Sequence, residues 1–230
     1  MTAGGPLLVI DTATTRAVIA LGDPDGTLLA ERSWTAGYRH GEELLARIEA
    51  LLGDLDRPAA TLGGIVVGTG PGAFTGLRVG IATAKGLAHA LRLPIAGVPT
   101  GSALLEAARR AAGPGALALV QPAGLSDRVL SRPGSAPVIL AGGTEPDLGP
   151  GERLVAVDLD GRAPVDAVAL GVVAHEGLAA ALLAAGAARF AAGQPDDLAE
   201  LVPEYVTLPR GVRAAPPAGG VAMTGGEGTS

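Results

Sequence analysis

Hydrophobic and polar positions fall into short blocks along the first half of the chain, and each block has the length of one element. Pro6 to Asp11 (PLLVID) is an apolar run of strand length that ends at a carboxylate, and Arg16 to Leu21 is a second. Asp23-Pro24-Asp25-Gly26 is a strong turn signal, and Thr27 to Trp34 follows as a third strand. The chain therefore opens as a three-stranded antiparallel meander. From His40 to Leu52 the period changes: Leu44, Leu45, Ile48, Leu51 and Leu52 recur at helical spacing, with Gly53 as the stop. Gly63 to Gly68 is a fourth strand, which leads through Gly70-Pro71-Gly72 into a helix from about Thr75 to Leu91. Ile95 to Val98 is a fifth strand closed by Pro99. Three hairpin-linked strands, then helix, strand, helix, strand, is the order of a ribonuclease-H-like domain.

The second half is punctuated by Pro and Gly. Ala116 to Gln121, Arg128 to Ser131, Val138 to Ala141 and Leu154 to Leu159 are strand candidates. Residues from about Val165 to Ala192 are helical, with a break at Gly177 or Gly186. The expected division is a first lobe over 1–112 and a second, degenerate lobe with the C-terminal helices over 113–213. A tail over 214–230, rich in Gly, Pro, Ala, Ser and Thr, is expected to be disordered.

The stretch Gly68 to Leu91 (GTGPGAFTGLRVGIATAKGLAHAL) carries the most information. A glycine-rich turn feeding a helix N-terminus offers backbone N–H groups to an anion. Gly70, Pro71 and Gly72 equally make a tight structural turn, and the spacing matches neither GxGxxG nor a P-loop. Along the helix Gly76, Gly80, Ala84 and Ala88 recur every four residues as a smooth ridge, while Leu77, Val79, Ile81, Leu87 and Leu91 spread over the remaining circumference. A helix apolar on so many sides requires burial on more than one face. One face should meet its own sheet. The other is available to a partner or to the second lobe.

Composition narrows the chemistry. Of 230 residues, 48% are hydrophobic and 17% charged, as in a soluble globular protein, and the formal net charge of -6 argues against RNA binding by the chain alone. The absence of cysteine removes disulfides, thiol nucleophiles and Cys-ligated zinc. The N-terminal apolar run lacks a basic flank and is broken by Asp11, so neither a signal peptide nor a membrane span is expected, and the cytoplasm is the expected compartment. None of His40, His89 and His175 has a second histidine four residues on, and no GxSxG elbow is present, so no catalytic residue and no metal ligand is expected. Asp11 and Thr12 are the candidate nucleotide-binding pair. In actin, hexokinase and Hsp70-like proteins this position begins a phosphate-cradling hairpin near Mg²⁺. A working site would need a second carboxylate from the other lobe, where this chain has Gln121-Pro122-Ala123-Gly124.

The sequence resembles the TsaB family of tRNA threonylcarbamoyladenosine biosynthesis proteins. Ile10 to Leu21 (IDTATTRAVIAL), His40 to Leu52 (HGEELLARIEALL) and above all Gly68 to Leu91 carry the likeness, which is strong over residues 7–105 and weak over 113–195. Two features depart from the family pattern. Pro203-Glu204-Tyr205-Val206 lacks the arginine of its closing P-x-Y-x-R, and QPAGLSDRVLSRPG replaces an Asp-Ala-Arg segment followed by Glu-Val-Tyr. The resemblance implies two ribonuclease-H-like lobes without a complete catalytic apparatus. It implies pairing with a TsaD-type paralogue, which transfers threonylcarbamoyl to the adenosine beside the anticodon, through helices 40–52 and 75–91. A TsaE-type ATPase joins the larger complex, and tRNA is reached only through it. Read onto this sequence, the interface comprises Leu45, Ile48, Gly76, Val79, Gly80, Thr83, Ala84 and Leu87, so that Gly80→Leu should weaken TsaD binding. No cofactor is expected, with vestigial ATP or ADP binding at Asp11 and Thr12 left open. Three alternatives stand beside this reading: an ATP-dependent phosphotransferase or ATPase, a metallopeptidase, and a homodimer formed through the same apolar surface.

Overall fold

The computed structural model describes residues 4–35 and 40–206, so the expected tail at 214–230 lies outside the described residues. Strands β1 (Leu7–Asp11), β2 (Arg16–Gly22), β3 (Leu28–Thr35), β4 (Gly64–Gly68) and β5 (Ile95–Val98) form one sheet in the order β3-β2-β1-β4-β5. The first three strands are antiparallel, with Ile10 opposite Ile19, and β1, β4 and β5 run parallel, with Ile10 opposite Val67.

β1 and β4 are buried along their whole length because helices cover both sides of the sheet, which is why they read as unbroken apolar runs. On one face Leu8, Ile10, Ile19, Leu21, Ile65 and Val67 meet α1 (His40–Asp54) and α2 (Phe74–Leu91) through Leu44, Ile48, Leu51, Ile81, Ala84 and Ala88. On the other, Leu7, Val9, Val18, Ala20 and Val66 meet α5 (Leu178–Ala191) and α3 (Thr100–Ala112). Gly186 of α5 lies so close over Val66 that an added Cβ would collide with it. α5 therefore returns to the first sheet although it follows the second in sequence.

The second sheet contains β6 (Leu117–Pro122), β7 (Arg128–Ser131), β8 (Val138–Leu140) and β9 (Arg153–Ala156) in the order β8-β7-β6-β9, with β6 and β9 parallel. It repeats the plan of the first sheet in shortened form: an antiparallel meander followed by a parallel strand. α4 (Val165–Glu176) lies along β9 and packs on α3, and the chain breaks at Gly177 before α5. One continuous core includes Leu117, Leu119 and Val155 of the second sheet together with α3, α5 and the first sheet, which fastens the lobes to each other. No single helix among the described residues is long and apolar enough to cross a membrane.

Two differences from the sequence pattern bear on the site. α3 has no counterpart in that pattern; its buried positions mix Leu104 and Leu105 with Thr100, Gly101, Ala103, Ala107 and Ala108. β9 ends at Ala156, short of the expected Leu159, and the chain that leaves it carries Asp158 toward the turn after β1.

Candidate functional site

Asp11, at the C-terminal end of β1, has no solvent exposure. Its carboxylate occupies the space left by Gly68 on β4, where any side chain would overlap it. One oxygen accepts the Thr100 hydroxyl at 2.6 Å and the other accepts the Ala13 N–H at 2.9 Å. Burial raises its pKa to about 6, against the lowering effect of these two hydrogen bonds, and Asp158 adds to the rise. Thr100 in turn accepts the Gly70 N–H at 3.1 Å. Asp11 thus ties β1 to the N-terminus of α3 and to the glycine turn, with both oxygens engaged inside the protein. Thr12 is likewise turned inward, donating to the Gly76 carbonyl at 2.7 Å.

The glycine turn faces inward as well. Besides the Gly70 bond to Thr100, the Ala73 N–H donates to Ala13 O at 2.7 Å, and the Gly101 N–H donates to Gly70 O at 3.2 Å. Gly70, Pro71 and Gly72 pack against the turn after β1 and the start of α3, with Gly72 in contact with the Ala13 backbone. Gln121 lies near the end of β6. It is buried, and its Oε1 has no hydrogen-bond partner among the described residues. No group of three His, Asp or Glu side chains among the described residues is placed to hold a metal ion.

The next two residues cross to the second lobe. Thr14 Oγ1 donates to Arg16 O at 2.8 Å and lies 2.8 Å from His175 Nε2 of α4. Since the hydroxyl proton is directed at Arg16, His175 donates its Nε2–H to the Thr14 oxygen. Burial keeps the imidazole pKa below its ordinary value, helped by Arg16. Thr15 donates its N–H and its hydroxyl to the two oxygens of Asp158, at 2.8 and 2.5 Å.

The outer surface of the first lobe corrects the expected interface. Gly76, Gly80 and Ala84 do not form an open ridge: all three are buried against the chain's own sheet, and a Cβ on Gly80 would strike the Thr12 hydroxyl. Ile48 is buried with them. A small-residue ridge serves close approach to a sheet as well as to another helix, and here β1 uses it. Of the expected interface residues, Leu45 is 54% exposed, and Val79, Thr83 and Leu87 are half-buried. The outer side of α2 carries a second set of small residues, Thr75, Ala82, Gly86 and Ala90, all exposed, and Gly86 has nothing near the position of a Cβ. Beside it an open apolar groove of about 470 Å³ runs between α1 and α2, lined by Leu45, Ile48, Leu52, Leu87 and Leu91, with Glu49, Asp56 and Arg57 among its polar lining residues.

The other flank of α2 is covered by the chain's own C-terminal segment. Asp196 bridges to Ile95, Lys85 reaches the carbonyls of Ala199 and Leu201, and Leu201 is buried. Glu204 N–H donates to Thr69 O, and the Thr69 hydroxyl donates to Glu204. Arg78 lies over Phe74, 3.8 Å from the ring centroid, and donates to the Tyr205 hydroxyl at 2.9 Å. Pro203 to Val206, which resembles a family closing segment in the sequence, therefore belongs to a strap along α2.

Comparison with known proteins agrees with this architecture. The family model described as TsaD, tRNA N6-adenosine threonylcarbamoyltransferase, matches residues 34–134. The chain is 35% identical over 107 residues to the Escherichia coli tRNA threonylcarbamoyladenosine biosynthesis protein TsaB, covering 46% of either chain. It is 38% identical over 92 residues to the Bacillus subtilis protein of the same name, covering 40% of either chain. The matched stretch spans less than half the length of each of these curated relatives. The solved structure of YeaZ from Pseudomonas aeruginosa superimposes with a TM-score of 0.69 at 22% identity, covering 88% of this chain and all of that one. By fold the chain is a two-lobed α/β protein with the architecture of that structure, its second sheet a shortened repeat of the first. Over less than half of its length it is similar to the curated proteins named TsaB and to the TsaD family model.

Proposed function

We propose that this chain takes part in tRNA threonylcarbamoyladenosine biosynthesis as a non-catalytic subunit, pairing through the outer face of α1 and α2 with a TsaD-type paralogue that carries out the transfer. The observation that carries this reading is a contrast between two surfaces. At the end of β1, where a nucleotide enzyme of this fold class would work, Asp11 and Thr12 are engaged in internal hydrogen bonds. On α1 and α2, by comparison, leucines line an open groove next to an uncovered stripe of small residues. Exposed apolar surface of this kind marks a protein contact.

The interface is then made by Leu45, Leu87 and Leu91 with Val79, Ala82, Thr83 and Gly86. Gly76, Gly80 and Ala84 act from beneath, by seating α2 on its sheet. With a net charge of -6 the chain leaves tRNA phosphates to its partners. A TsaE-type ATPase belongs to the same assembly, and the cytoplasm, where tRNA is modified, is the compartment. Self-pairing through the same groove competes with TsaD instead of defining a second function. A phosphotransferase fits the residues less well, because Asp11 is taken up by Thr100 and Ala13, and Asp158, the second-lobe carboxylate that comes near it, is taken up by Thr15.

The test is reconstitution. The TsaD-type paralogue from the same source, with its ATPase partner and threonylcarbamoyl donor, should modify tRNA only when this chain is added, and the two proteins should co-purify. Equal modification without the chain, or ATP turnover by the chain alone, would refute the reading.

A further inference from the structure

The residues after Asp11 do not fit a nucleotide phosphate, because the second lobe already holds the groups that would bind one. Thr15 presents two donors from a single residue, and both end on the carboxylate of Asp158, 143 residues away. Thr14 is engaged next to it by His175, 161 residues away. The backbone that carries this carboxylate is constrained: Asp158 has a left-handed conformation (φ 58), and Arg162 donates to its main-chain carbonyl at 2.8 Å. These two consecutive threonines fasten the β1–β2 turn to the loop after β9 and to α4.

We infer that Asp158 and His175 form an internal latch between the lobes, with the Asp158 carboxylate standing where an external oxyanion would be bound. Two hydrogen bonds to one ionised carboxylate are stronger than their neutral equivalents. An incoming phosphate would have to displace a group already tethered at high effective concentration. His175 adds a one-way element. With Nε2–H directed at Thr14, its Nδ1 is buried without a partner among the described residues, so the neutral ring is the form that fits. The inference rests on the turn's own geometry and stands whether or not a TsaD-type protein docks on α1 and α2.

Backbone amide exchange in the full chain, read by NMR, tests this directly, because the Thr15 N–H is one of the latch bonds. Asp158→Ala should raise exchange at Thr15 by about tenfold or more, the cost of a charge-assisted bond, while amides of β4 keep their wild-type rates. Asp158→Asn, which keeps the shape and one acceptor, should lie between the two and covers the case in which the alanine variant does not fold. Titration with inorganic phosphate should leave the Thr15 resonance of the wild type unmoved and shift it saturably in the Asp158 variants. Unchanged exchange at Thr15 in both variants would overturn the latch. A wild-type response to phosphate equal to that of the variants, or no response in any of them, would overturn the claim that the carboxylate masks an oxyanion position.

Discussion

Replacing Asp11 by asparagine removes a charge from the most enclosed ionisable position described here. Asp11 has no solvent exposure, and its pKa is raised from 3.8 to about 6, with desolvation as the main cause. The folded state therefore holds the Asp11 proton more tightly than the unfolded state does. Stability rises as pH falls through 6, and the full gain is reached only below 3.8. The shift corresponds to about 3 kcal/mol in total, of which about 2 kcal/mol develops between pH 7.5 and 4.5. His175 acts in the opposite sense, since a lowered imidazole pKa costs stability on acidification, and Asp196 and Glu152, whose pKa values are also lowered, lose theirs in acid. The informative quantity is thus the difference between wild type and Asp11→Asn, in which these common contributions cancel. Thermal or urea unfolding of both proteins across pH 4.5–7.5 should show the wild type gaining about 2 kcal/mol on the variant as pH falls, equivalent to about 4–8 °C in Tm for a chain of this size. Parallel pH profiles would refute the argument, because they would mean that Asp11 is not buried as a charge at neutral pH.

Three further substitutions separate packing from docking. Gly80→Leu must displace Thr12 beneath α2 and should destabilise the fold by about 1–3 kcal/mol or more, measured by urea unfolding, so that any loss of partner binding follows from loss of structure. Gly86→Ala should stabilise the isolated chain by up to about 1 kcal/mol, since a mid-helix glycine with open space around it costs helix stability; the same methyl should weaken pairing with the TsaD-type protein in a pull-down. Arg189→Leu removes a two-point contact with Asp196 and a bond to the Gly97 carbonyl. It should cost about 1–3 kcal/mol and increase proteolysis of the strap at residues 194–206.

Most of the first sheet could be read from the sequence because its inner strands are buried on both faces and its strands are bounded by turn residues, and α1 and α2 because leucines repeat at helical spacing. The orientation of α2 could not. Gly76, Gly80, Ala84 and Ala88 have the same spacing whether they face a sheet or a partner, and only Thr12, 68 positions before Gly80, decides between them. The site was half visible. Asp11 and Thr12 stood out by their place at a strand end, whereas Thr100, Asp158 and His175 lie 89, 143 and 161 positions from their partners and carry no local pattern. α3, which supplies Thr100, has only two leucines, Leu104 and Leu105, on its buried face, too few to show a helical repeat.

The docking face is most directly tested by the dissociation constant for the TsaD-type paralogue, measured for the wild type and for Leu45→Glu. Leu45 is exposed on α1, so the substitution should change the stability of the free chain by no more than about 0.5 kcal/mol. At an apolar interface it leaves an unpaired carboxylate out of water, and the affinity should fall by tenfold or more, with tRNA modification falling in step. Wild-type affinity from a folded Leu45→Glu protein would place the contact elsewhere and contradict the account.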